Sequence, residues 1–129
     1  MQVNWLAIIA SAAATFLIGG LWYSPVLFYK PWVRLNGYTE TTTPKAGGRV
    51  FVLSFLAQLI AAANLAFFVA GEPFGLVVAA AAAVGVGWVA MSFGVTYLFE
   101  QRPFALWMIN AGYHVVSFLV MGLIIGAWR

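Results

Sequence analysis

Apolar residues fill four long stretches of the chain, 5–29, 50–71, 75–99 and 104–128, separated by short polar joints. As a helix rising about 1.5 Å per residue, each stretch covers a hydrocarbon core of about 30 Å with some length left for tilt. None of the three glutamates falls inside a stretch, and His114 is the single side chain there that titrates near neutrality. The pattern predicts an all-α, polytopic membrane protein: one domain over residues 1–129, folded as a bundle of four transmembrane helices. The first stretch is expected to remain a span. No Lys or Arg precedes it, and Trp22, Tyr23 and Pro25 stand where a signal peptide would carry small residues.

The joints differ in length. Gly71, Glu72, Pro73 and Phe74 make one tight turn, and Glu100, Gln101, Arg102 and Pro103 make another, so the second, third and fourth helices are expected to pack as antiparallel neighbours. The joint at 30–49 is a longer loop. Pro31 starts a short interfacial turn through Trp32, Val33 and Leu35, Asn36 and Gly37 end it, and the Thr-rich run up to Pro44 with Gly47 and Gly48 reads as a mobile connection.

Composition agrees with the pattern and adds an orientation. With 64% of the residues hydrophobic and 7% charged, the chain could not cover the surface of a soluble domain. Lys30, Arg34, Lys45, Arg49 and Arg102 lie in the first and third joints, and only Arg129 lies on the other side. That bias predicts both joints in the cytoplasm and both termini outside. Basic residues scattered over several loops make no phosphate-tracking face, so nucleic acid is not an expected partner despite the net charge of +3. The chain has no cysteine, which excludes disulfides and thiolate metal sites.

Small residues recur at every fourth position inside the spans. Ala7, Ser11, Thr15 and Gly19 form such a ladder on the first helix, Gly75, Ala79, Ala83 and Gly87 on the third, and Gly122 with Gly126 a GxxxG pair on the fourth. Ladders of this kind let helix backbones approach closely in lipid. They are expected to serve packing within the bundle, or a contact between copies in a homo-oligomer or with a larger membrane complex.

Polar side chains within the spans gather at one depth. Tyr23 and Ser24, Gln58, Ser92 and Asn110 all fall about 9 to 12 Å from the cytoplasmic helix ends, counting 1.5 Å per residue. His114 and Ser117 extend the same face of the fourth helix, and Asn64 lies near the level of Ser117. Facing lipid would be costly for these groups, so most of them should face the bundle interior or a subunit contact. There they either bond one another as interhelical glue or line a cavity open to the cytoplasm, with Pro25 bending the first helix and His114 at the far end. A metal or haem is not expected, since one imidazole stands without a second His or any Cys.

Three segments carry a resemblance. Asn4, Trp5, Leu6 and Ala7 open the first helix; Gly20-Leu21-Trp22-Tyr23-Ser24-Pro25-Val26-Leu27-Phe28 leads to Lys30 and Trp32; and Asn110-Ala111-Gly112-Tyr113-His114 runs on to Ser117-Phe118-Leu119-Val120-Met121-Gly122. In these the chain resembles the bacterial domain-of-unknown-function family numbered seventeen sixty-one. The likeness covers both ends of the chain and the middle spans by general character, and it departs at Tyr29, where the family pattern carries Gly in many members. It implies a small four-helix membrane protein and no activity.

Function is expected to follow from the polar layer. One His and no intramembrane carboxylate give neither a catalytic constellation nor the acidic group on which proton-coupled cation export depends, so neither an enzyme nor a cofactor is expected. A neutral layer flanked by Trp22, Tyr23, Trp88 and Trp107 suits a lipophilic or weakly polar small molecule bound or passed through it. The alternative is a non-catalytic accessory or scaffold subunit.

Overall fold

The computed structural model describes residues 2–129. Helix α1 spans Trp5–Trp22, a short helix α2 Tyr29–Asn36, and α3 Gly48–Phe68. The third span is one continuous rod made of α4 (Phe74–Ala83), a π-helical segment (Val84–Ala90) and α5 (Met91–Phe99), and α6 runs from Phe104–Ala127. Four of these rods are long and apolar enough to cross a membrane, and the described residues hold no strand. The protein is an all-helical integral membrane protein.

The expected first helix at 5–29 is interrupted. Pro25 has no N–H to give to the carbonyl of Leu21 four residues earlier, and its ring disfavours a helical Ser24. The orphaned Leu21 carbonyl takes the Ser24 N–H at 3.1 Å and its hydroxyl at 2.7 Å. A tight turn follows, closed by Phe28 N–H to Trp22 O at 3.0 Å and Tyr29 N–H to Ser24 O at 3.1 Å. The chain then restarts as α2, which ends where Gly37 adopts φ 72° and the N–H groups of Gly37 and Tyr38 cap Arg34 and Val33. The Thr-rich run beyond it closes on itself, with the Thr43 hydroxyl donating to Thr39 O at 2.6 Å.

Asn4 fastens the opposite end. Its Oδ1 accepts the Leu6 and Ala7 N–H groups at 3.0 and 3.2 Å, and its Nδ2 donates to Trp128 O at 3.2 Å, tying the start of α1 to the end of α6. At this terminal end Ile8, Ala62, Leu65, Ala66, Val69, Val77, Ala81 and Met121 form the core, drawn from α1, α3, α4 and α6.

Of the expected antiparallel neighbours, the third and fourth spans pack together along their length, but the second and third do not. The main partners of α6 are α4 and α1, and α3 rests chiefly on α1, while α3 and α4 meet mainly near their short connection. Toward the loop end, where the first and third joints lie, the second and third spans diverge. Both turns are tight, but a turn constrains only the ends it joins, and small residues decide which flanks come together. Ala7, Ser11 and Thr15 are buried on α1. A Cβ built on Gly122 would lie 2.5 Å from Ala81 Cβ, and one on Gly126 would lie 2.9 Å from Phe74 Cδ2, so these glycines admit α4. The ladder of Gly75, Ala79, Ala83 and Gly87, by contrast, points away from the protein, and the third span buries Val77, Ala81 and Gly85 instead. A four-residue spacing recurs on both faces of an alanine-rich helix and does not say which one packs.

The π-helical segment shifts the face that follows it. Wider turns absorb one residue, so the inward-facing row passes from the buried Gly85 and Ala90 to the half-buried Phe93 and Tyr97. Ser92, placed inward by a regular 3.6-residue count, is exposed.

Gly122→Ala should destabilise the protein by about 1 to 3 kcal/mol through overpacking against Ala81. Gly75→Ala, with open space at its Cβ, should leave stability unchanged or slightly raised. Thermal unfolding of both variants in lipid nanodiscs measures the contrast.

Candidate functional site

The inner faces of α1, α3, α5 and α6 carry a band of polar and aromatic groups in the loop-end half. Its first strand begins at the α1 break. The Tyr23 hydroxyl donates to Asn110 Oδ1 at 2.7 Å, and Asn110 Nδ2 donates to the Tyr97 oxygen at 2.7 Å. One carboxamide therefore joins α1, α6 and α5. The second strand centres on Tyr113, which receives Gln58 Nε2 at 2.7 Å and donates to the Thr15 carbonyl at 2.9 Å, joining α3, α6 and α1. Thr15 returns its own hydroxyl to Ser11 O at 3.0 Å.

Aromatic tips interlock around these bonds. Trp22 from α1 lies over Gly112 of α6, where a Cβ would meet its ring at 3.2 Å, and donates Nε1 to Ile109 O at 2.9 Å. Tyr113 from α6 reaches back over Gly19 of α1, where a Cβ would sit 3.0 Å from its oxygen. The two glycines are the sockets of a reciprocal fit between the central helices. Trp107 repeats the device on the other flank, donating Nε1 to Ala90 O at 2.9 Å at the end of the π-helical segment.

The other expected members are placed differently. Ser24 caps α1 and stays out of the band. His114 is half-buried, stacked on Phe93 at 5.1 Å and edge-on to Tyr113 at 5.0 Å. Ser117 is 1% exposed and its hydroxyl, like that of Ser11, has no hydrogen-bond partner. Asn64 is exposed, with Nδ2 turned back to Ile60 O at 3.0 Å, and Ser92 faces outward. Tyr97, Tyr113 and Trp22 are band members that polarity alone did not single out. Tyr113 sits beside His114 in a motif already noted, but its role depends on where its ring ends, about 6 Å from its backbone and against another helix. Tyr97 enters only through the π-helical shift.

Two large hollows open sideways into the membrane region. One of 490 Å³ lies where the second and third spans diverge, with Ala61, Asn64, Leu65 and Phe68 on α3, Ala80, Ala83, Val84 and Trp88 opposite, and Phe118 at its back. The other, of 380 Å³, lies between α5 and the start of α6. The described residues contain no cluster of His, Cys, Asp and Glu able to hold a metal ion.

Asn110→Leu removes two interhelical bonds together and strands the Tyr23 and Tyr97 hydroxyls, and a loss of about 1 to 3 kcal/mol is expected. Tyr113→Phe should cost about 0.6 to 2 kcal/mol, and in a double-mutant cycle with Gln58→Leu the two losses should be less than additive. Unfolding midpoints in a fixed detergent provide the check.

No curated protein and no solved structure matches this chain. A family model described as "Protein of unknown function (DUF1761)" matches residues 6–126, nearly the whole length, and the protein therefore belongs to the DUF1761 family.

Proposed function

We propose that this protein resides in the bacterial cytoplasmic membrane with both termini outside, and that it binds a small lipophilic or weakly polar molecule in the 490 Å³ groove between α3 and the third span. The groove carries the reading. Its volume falls within the 300 to 1,000 Å³ of small-molecule sites. Phe68, Trp88 and Phe118 supply broad apolar and aromatic walls, and Asn64 supplies a single carboxamide, whose Nδ2 is turned to Ile60 and whose Oδ1 has no partner among the described residues. An apolar cleft with one polar anchor suits a ligand that enters from the lipid.

Passage through the inner polar band finds less support, because its principal side chains are bonded to one another: Tyr23, Asn110 and Tyr97 in one strand, Gln58, Tyr113 and Thr15 in the other. The band acts as the clamp that holds α1, α5 and α6 in position while α3 leans away. A non-catalytic role is in keeping with a lone His114 stacked between aromatic rings.

A second reading rests on the outward ladder of Gly75, Ala79, Ala83 and Gly87, which shares Ala83 with the groove. A smooth face of this kind suits close approach by another helix, from a second copy in a homo-oligomer or from a larger complex that this chain would serve as scaffold.

A lipophilic diazirine probe of sterol or quinone size should label Phe68, Trp88 and Phe118 in preference to the exposed Leu17 and Leu21, which line neither groove, and Ala83→Trp should reduce that labelling several-fold. Even labelling of all exposed apolar residues would remove the ligand reading. The native chain has no cysteine, so Ala79→Cys gives a single thiol. Efficient disulfide dimers from it would favour the second reading.

A further inference from the structure

The second groove, between α5 and the start of α6, has a different character. Met91, Val95 and Leu98 form one wall, Phe104 and Trp107 the other, and Arg102 stands at its mouth. The slot has depth because Gly94 carries no side chain: a Cβ there would lie 3.4 Å from Trp107 Nε1, whose N–H is already given to Ala90 O. From Phe99 at the end of α5 down to Met91 the wall extends about 12 Å at 1.5 Å per residue, from the level of headgroups into that of acyl chains.

Arg102 is held rather than free. Its Nε donates to Glu100 Oε1 at 2.9 Å, its Nη1 donates to Asn36 Oδ1 at 3.0 Å, and its guanidinium carbon lies 5.4 Å from the centre of the Tyr97 ring. These contacts fix the plane of the guanidinium and leave Nη2 with no protein partner among the described residues. Arg102 is drawn into the turn by Gln101, a non-glycine residue at φ 55°, and by its own N–H, bonded to Tyr97 O at 2.9 Å. The Asn36 bond brings the end of α2, with Arg34 in its last turn, to the same side.

We propose that this groove is a binding site for one anionic phospholipid of the leaflet at the loop end, its phosphate on the unengaged Nη2 of Arg102 and one acyl chain along Met91, Val95 and Leu98. Charge and shape together select that occupant. Five of the six basic residues lie at this end, against Glu40 and Glu100. Glu100 engages Nε and offsets part of the charge, yet Nη2 is left without a partner among the described residues and Arg102 lines the slot. A basic group between membrane helices at the headgroup level recognises acidic lipid in this way, and the aromatic rims of Phe104 and Trp107 sit where such residues meet headgroups. The choline of a zwitterionic lipid would bring a further cation beside Arg102. This site is separate from the groove proposed for the lipophilic ligand, and neither reading depends on the other.

Delipidated protein in detergent, offered equal amounts of phosphatidylglycerol and phosphatidylcholine with matched chains, tests the proposal by native mass spectrometry. The protein should retain phosphatidylglycerol in preference by about five-fold, the effect of one basic residue near a membrane surface. Arg102→Gln should bring the ratio close to one, Arg102→Lys should keep most of it, and Lys45→Gln should leave it unchanged. Equal retention of the two lipids by the unaltered protein, or an undiminished preference in Arg102→Gln, would overturn the proposal. A second measurement stands apart from the folding of any Arg102 variant. In nanodiscs, chain-brominated phosphatidylglycerol should quench tryptophan fluorescence more than brominated phosphatidylcholine, and Trp107→Phe should abolish that difference; equal quenching by the two lipids would overturn the proposal as well.

Discussion

Hydrocarbon offers no hydrogen bonds, so a polar side chain placed within a span is costly unless it finds a partner in the protein. Asn110 and Tyr113, three residues apart on α6, meet that demand on behalf of all the other spans. Asn110 takes the Tyr23 hydroxyl and gives to Tyr97; Tyr113 takes Gln58 and gives to Thr15. Sheer apolarity supplies little force between helices already surrounded by lipid tails, so these few directional contacts, with the glycine sockets beside them, decide which helix lies where.

The band also explains why the bundle is not closed. Its bonds concentrate on α1, α5 and α6, and α3 contributes only Gln58 to it. Near the terminal end α3 is held by the apolar core and by its short connection to α4. Farther along it follows α1, through Phe51 and Phe55 on either side of Phe16, and departs from the third span. The groove beside Asn64 is the geometrical outcome of helices anchored at one end and tied to different neighbours at the other.

Much of the architecture was legible as hydropathy. The four spans, their approximate limits and the depth at which Tyr23, Gln58 and Asn110 lie all follow from counting residues along regular helices. The family resemblance in the segments around Trp22 and Asn110 pointed the same way. What counting could not supply was rotation. The exposed ladder of Gly75, Ala79, Ala83 and Gly87 and the buried row of Val77, Ala81 and Gly85 share one spacing, and only the fit of Gly122 against Ala81 chooses between them. Ser92 and Tyr97 exchanged places for a related reason, since a turn of π-helix leaves no mark in hydropathy. Pro25 was visible as a source of bending, but whether a membrane helix bends or stops at proline depends on who takes the freed carbonyl, and here Ser24 takes it.

The π-helical segment gives the third span two phases. On the terminal side it presents small residues to α6, and on the loop side aromatic ones, a change of chemistry that a uniform helix could make only by rotating as a whole. Trp107, bonded to Ala90 where the wide turns end, marks the boundary between the two. Without the surplus residue the span would still cross the membrane, shorter by only about 1.5 Å, yet its loop-end half would be turned by roughly 100° relative to its neighbours. The length of this span and the direction in which it faces are thus set independently, and a single residue of slack couples two otherwise incompatible packing surfaces.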